Sequence, residues 1–84
     1  MANDKLRNAC FNAFETFKKL EDSNYAEIQS KLEFVIGSYD FDKNPVGLYE
    51  FGIVAIPKLK KAKEKYSRKV TKKVIEELEK AVKK

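Results

Sequence analysis

The chain has 84 residues, of which 43% are hydrophobic and 37% charged, and its net charge is +5. This length supports one domain with a single small core and leaves little room for a deep catalytic cleft. The composition is typical of a helix-rich globular protein, and the lack of histidine removes the commonest general base and the commonest metal ligand.

The first predicted element is a helix over residues 3–20. Its apolar residues recur at three- and four-residue spacing and therefore share one side of the helix: Leu6, Cys10, Ala13, Phe14, Phe17 and Leu20. Cys10 lies within this stripe, so we interpret it as a small buried residue rather than a reactive thiol. As the lone cysteine it permits no internal disulfide.

The compartment is predicted from what the sequence lacks. No apolar run approaches the roughly 18 residues that cross a bilayer, and the first residues lack the long uncharged segment of a secretory signal. Together with the lone cysteine, these features predict a cytoplasmic protein without a transmembrane segment.

A second helix is predicted over residues 24–39, with Asn24 and Glu27 as a capping box. Its inward stripe is Tyr25, Ile28, Leu32, Val35, Ile36 and Tyr39. Phe34 lies about 180° from that stripe, at 100° per residue, in line with the small residues Ala26 and Ser30. This arrangement indicates a second contact face, which either another helix or another molecule covers.

Oxygen-bearing side chains alternate at Asp40, Asp42 and Asn44, as in a calcium-binding loop. Such a loop needs glycine at its sixth position and glutamate at its twelfth, and here those positions are Pro45 and Phe51. We therefore predict no metal site. The segment is interpreted as a turn, with Asn44 as the N-cap of the next helix and Pro45 at its first position.

The third helix is predicted over residues 45–66, with Leu48, Gly52, Ala55, Leu59, Ala62 and Tyr66 on one side. Pro57 lies on the opposite side and removes a hydrogen bond to the carbonyl of Ile53, at a cost of about 3 kcal/mol. The helix should therefore be kinked or broken near Pro57. The alternative, a buried strand over residues 51–56, is disfavoured because a single strand has no partner.

The fourth helix is predicted over residues 71–83, with Thr71 as its N-cap. Its apolar stripe is Val74, Ile75, Leu78, Ala81 and Val82. Because the connections between the four helices are short, the predicted fold is all-α, a compact four-helix bundle forming one domain over residues 1–84.

Several large apolar residues point away from these inward stripes. They predict an interface for a partner protein or for a second copy of the chain at Phe34, Val46, Phe51, Ile53 and Val54. Burial of these residues within one molecule is the alternative.

A second candidate surface follows from the charge distribution, because residues 1–42 carry a net charge of −3 and residues 43–84 carry +8. Residues 58–73 contain nine Lys or Arg and one Glu, and the candidate anion-binding residues are Lys58, Lys61, Lys65, Arg68, Lys69 and Lys72. Nucleic acid or another anionic surface is the second partner hypothesis. A solvated lysine coat is the alternative, because only one of the nine is arginine.

The sequence contains no phosphate-binding glycine-rich loop and no nucleophile elbow. We therefore predict no catalytic residues and no cofactor. The predicted function is a non-catalytic protein-interaction or self-associating module.

Overall fold

The computed structural model describes the backbone of residues 2–82 and the side chains of residues 4–82. Its helices are α1 (Ala2–Leu20), α2 (Ala26–Asp42), α3 (Val46–Lys65) and α4 (Lys72–Val82), and a short 3-10 turn, Ser23–Tyr25, precedes α2. Each helix contacts the next one along the chain, and α1 also contacts α4, which closes the ring. The predicted four-helix bundle is confirmed.

The core of the bundle takes side chains from all four helices and from the α3–α4 connection. Its largest fully buried members are Leu6, Phe17, Leu32, Leu48, Leu59, Val70 and Leu78. Full burial of one such side chain stabilises a fold by about 1.5–3 kcal/mol. The inward stripes predicted from the spacing of apolar residues therefore supply the packing.

Helix α3 runs without interruption through Pro57. The predicted alternative of two separate helices is therefore wrong, residues 51–56 are helical rather than the disfavoured strand, and a bend at Pro57 stays a prediction. Pro57 and Ile53 both lie on the exposed side of α3. Water can therefore reach the Ile53 carbonyl, which has no N–H partner at residue 57.

The connection between α2 and α3 is shorter than predicted, because Asp40 and Asp42 belong to the last turn of α2. Lys43 ends the helix in the left-handed conformation, with φ 61°, and its N–H donates to the Tyr39 carbonyl at 2.7 Å. Next, Asp42 Oδ1 accepts from the Asn44 N–H at 2.9 Å, and Asn44 Oδ1 accepts from the Val46 N–H at 3.1 Å. These side-chain contacts replace the longer turn that the sequence suggested.

Asp22 caps the short 3-10 turn that leads into α2, because its Oδ1 accepts from the Asn24 N–H at 2.9 Å. The N-cap of α2 itself is Tyr25, with no side-chain cap, so the predicted capping box of Asn24 and Glu27 is wrong. The other carboxylate oxygen of Asp22 accepts from the Tyr66 hydroxyl at 2.8 Å, which ties the α1–α2 connection to the end of α3. The predicted N-cap of α4 is confirmed, since Thr71 Oγ1 accepts from the Val74 N–H at 3.3 Å.

Candidate protein-interaction surface

Four of the five apolar residues predicted to form an interface are exposed. The exposed fractions are 75% for Phe34, 64% for Val46, 56% for Ile53 and 40% for Val54. Phe51 is only partly exposed and packs against the core. Burial within one molecule is therefore the wrong alternative for the first four residues and correct in part for Phe51.

Phe41 is a further exposed aromatic residue that the sequence analysis missed, and 92% of its surface is accessible. The sequence predicts a turn at this residue, because the second helix is predicted to end at residue 39. With α2 extended to Asp42, Phe41 follows Phe34 by seven residues, which places both on the same side of the helix. The seven-residue spacing of the two phenylalanines is the signal that could have revealed it.

The outward side of α2 carries no charge between these two aromatic rings. Ser30, Phe34, Gly37 and Phe41 fall within about 60° of each other at 100° per residue, and all four are exposed. A side chain placed at Gly37 would meet no heavy atom within 4 Å. This side of α2 therefore has no partner among residues 4–82.

Helices α2 and α3 pack closely side by side. A Cβ placed on Gly47 would lie 2.8 Å from Val35 Cγ1, and Lys31 Nζ lies 5.6 Å from the centre of the Phe51 ring. A shallow groove of about 140 Å³ runs between them, with Val54 on its rim. We call the exposed apolar residues of these two neighbouring helices the apolar surface: Phe34, Phe41, Val46, Ile53 and Val54.

The predicted anion-binding residues are all exposed, and we call them the basic end: Lys58, Lys61, Lys65, Arg68, Lys69 and Lys72. Lys58, Lys61 and Lys65 follow one another at spacings that place them along one edge of α3. Arg68 and Lys69 lie in the α3–α4 connection. Of the six, only Lys65 has an ion-pair partner among residues 4–82, at 3.8 Å from Asp22 Oδ2.

The acidic residues near the α2–α3 connection are engaged in other contacts. Asp40 accepts from Arg7 Nε at 3.1 Å and from Arg7 Nη2 at 2.8 Å, and these bonds hold the pKa of the Asp40 carboxyl below its usual value. Asp42 accepts from the backbone. No group of three potential metal-ligating side chains occurs in the part of the chain that the structure describes.

Cys10 is fully buried, as the sequence indicated, and its Sγ–H donates to the Leu48 carbonyl at 3.6 Å. Burial raises the pKa of the Cys10 thiol to about 12, so it stays protonated at neutral pH. Because the thiolate is the reactive form, Cys10 is a poor nucleophile in the folded protein.

A concave region with a volume of about 540 Å³ lies between α1 and α4. Lys5, Asn8, Asn12 and Lys80 line it and are exposed. Exposed side chains of this kind do not form the convergent, partly buried polar groups that define most ligand sites. The region therefore offers less for recognition than the apolar surface does.

Comparison with known proteins finds no family model, curated protein or solved structure that matches the chain. Within residues 2–82, none of the helices has the length and apolar character needed to cross a bilayer. The exposed side chains of the bundle are therefore the basis for inferring its function.

Proposed function

We propose that the chain is a small, non-catalytic protein-interaction module that docks its partner on the apolar surface of α2 and α3. One observation carries the proposal: five large apolar side chains stay exposed on two adjoining helices of a complete bundle. Single exposed apolar residues are common on proteins, but several on one surface are typical of an interaction site. A cytoplasmic location stays a prediction from the sequence, with which the lone cysteine agrees.

The two phenylalanines supply most of the available contact area. A buried Phe side chain covers about 150–250 Å², so Phe34 and Phe41, at 75% and 92% exposure, each offer on the order of 100–200 Å² to a partner. At about 25 cal/mol per Å², full burial of either ring would contribute about 3–5 kcal/mol before the costs of association. Aromatic residues are enriched in the cores of protein interfaces for this reason.

The proposal is tested by affinity capture from an extract of the cells that make the protein, with bound proteins quantified by mass spectrometry. Phe34→Asp and Ile53→Asp should each lose a protein that the unsubstituted chain retains, because a charge in a buried contact leaves its solvation unsatisfied. Phe11→Asp is the matched control, because Phe11 is 38% exposed on α1, outside the apolar surface. Circular dichroism checks that each variant is folded.

Equal retention by all four proteins, or loss only with Phe11→Asp, would contradict the proposal. The variants are expected to remain folded, because Phe34 and Ile53 are exposed and lie outside the buried core.

A second candidate function is the binding of nucleic acid or another polyanion at the basic end. It is supported by five exposed cationic side chains without an ion-pair partner among residues 4–82. Binding to duplex DNA should weaken steeply with salt, with a slope of log affinity against log salt near −0.9 for each phosphate neutralised.

The test of this second function replaces Lys61, Arg68 and Lys69 with Glu and leaves Lys65 in place, because Lys65 contacts Asp22. The triple variant should elute from heparin at lower salt than a control that carries Lys5→Glu and Lys80→Glu, away from the basic end. The absence of heparin retention at low salt would refute this function.

A further inference from the structure

We infer that the partner on the outward side of α3 is the same side of a second copy, packed antiparallel about a two-fold axis near residues 55 and 56. This inference rests on the proposed function and names its partner. The order of apolar and charged residues along α3 carries it.

The outward side of α3 has an apolar centre with a carboxylate on its N-terminal side and charged residues on its C-terminal side. At 100° per residue Val46, Glu50, Ile53, Pro57, Lys61 and Glu64 fall within about 80° of one another, and all are exposed; Lys61 is the charge nearer to the centre on the C-terminal side. Val54 borders this group. The centre is therefore formed by Ile53, Val54 and Pro57, with Glu50 on its N-terminal side and Lys61 on its C-terminal side.

This order is complementary to itself in only one of the two ways that helices can align. Glu50 and Lys61 lie about 16 Å apart along the axis, at 1.5 Å per residue, and their midpoint falls between residues 55 and 56. In an antiparallel pair each Glu50 therefore faces Lys61 of the second copy, and Val54 faces Pro57. In a parallel pair Glu50 would face Glu50, and Lys61 would face Lys61.

Both charges are free for such a contact. Neither Glu50 nor Lys61 forms an ion pair with any residue in the range 4–82, whereas the neighbouring Lys60 lies 3.2 Å from Glu79 Oε2. Exposed ion pairs contribute little affinity but select the orientation of a complex, because like charges in contact are unfavourable. Glu50 and Lys61 are thus expected to select the antiparallel arrangement while the apolar centre supplies the contact.

The contact through α3 is smaller than a standard protein interface. A standard interface buries about 800 Å² on each partner, roughly a seventh of the 5669 Å² surface of this chain. One helix of 20 residues is about 30 Å long and about 10 Å wide, so a contact through α3 alone falls below that size. The dimer is therefore of the weak, transient class.

The experiment measures mass by analytical ultracentrifugation from about 10 μM to 1 mM, the range of a weak complex. Glu50→Lys and Lys61→Glu should each weaken dimerisation about tenfold or more, because each places like charges in contact twice. An equimolar mixture of the two variants should restore dimers, since every contact between unlike variants is again oppositely charged. The double variant Glu50→Lys, Lys61→Glu should dimerise like the unsubstituted chain, and Glu76→Lys on α4 is the matched control.

An unsubstituted chain that stays monomeric at 1 mM, or single variants that the mixture fails to restore, would overturn the inference. These results are distinguishable from failure of the proposed function. If the chain is monomeric but Phe34→Asp and Ile53→Asp still lose a captured protein, only the second copy is refuted. If capture is also unchanged, the interaction module is refuted as well.

Discussion

Replacing Gly37 with alanine should stabilise the fold. Gly37 lies inside α2, its φ is not positive, and an added Cβ would meet no heavy atom within 4 Å. Glycine in a helix interior costs about 0.5–1 kcal/mol relative to alanine, because it loses more backbone freedom on folding. Gly37→Ala should therefore raise the free energy of unfolding by about this amount and raise Tm by about 2–8 °C for a domain of this size.

The same substitution at Gly47 should have the opposite effect. Its Cβ would lie 2.8 Å from Val35 Cγ1 and 3.1 Å from Val35 Cβ. Val35 is only 5% exposed, and the crowded atoms belong to its branched stem, so the side chain cannot turn away freely. Overpacking of this kind costs about 1–3 kcal/mol, so Gly47→Ala should lower the free energy of unfolding by about that much.

Urea unfolding followed by far-ultraviolet circular dichroism measures both effects. All proteins should be compared at one concentration, since self-association would add its own stabilisation. The unfolding midpoint should rise for Gly37→Ala and fall for Gly47→Ala. A rise for Gly47→Ala would show that the close approach of α2 and α3 at Val35 is not as described, and a fall for Gly37→Ala would show that the space beside Gly37 is not open.

Three further predictions concern single side chains. Cys10 should react with a thiol reagent at pH 8 only after the protein is unfolded in denaturant, because its buried thiol has a pKa of about 12. Thr71→Ala should lower the free energy of unfolding by about 0.5–2 kcal/mol, measured by urea titration, through loss of the α4 cap. The Asn24 N–H and the Tyr66 hydroxyl lower the pKa of Asp22, so its stabilisation is present above the ordinary aspartate pKa of 3.8 and is lost as pH falls through the lowered value. Asp22→Asn should therefore lower Tm at neutral pH, and thermal scans should show that difference shrinking in acid.

The helices and their buried sides were predictable because the spacing of apolar residues is a local property of the chain. Leu6, Phe17 and Leu59 were all assigned to inward stripes, and all are buried. The end of α2 was not predictable from propensity, since the residues after Tyr39 resemble a turn. For this reason the sequence does not predict Phe41 as part of the exposed side of α2.

Contacts between distant residues could not be read from the spacing at all. The Arg7–Asp40 pair joins residues 33 positions apart, and the Tyr66–Asp22 hydrogen bond joins residues 44 apart. Helical periodicity shows which side of a helix is apolar, but it does not show which helix lies opposite. The neighbourhood of α2 and α3, and with it the extent of the apolar surface, therefore needed the structure.

The bond between Asp22 and Tyr66 has a consequence for how the molecule holds its shape. The chain consists of two helical hairpins, α1 with α2 and α3 with α4, joined by only three residues, 43–45. Proteins built in this way can undergo domain swapping, in which two molecules exchange hairpins when the connecting segment becomes extended. At the end of the bundle opposite that connection, the Asp22 carboxylate accepts from the Tyr66 hydroxyl and joins the two hairpins, within one chain or, in an exchanged pair, between two chains.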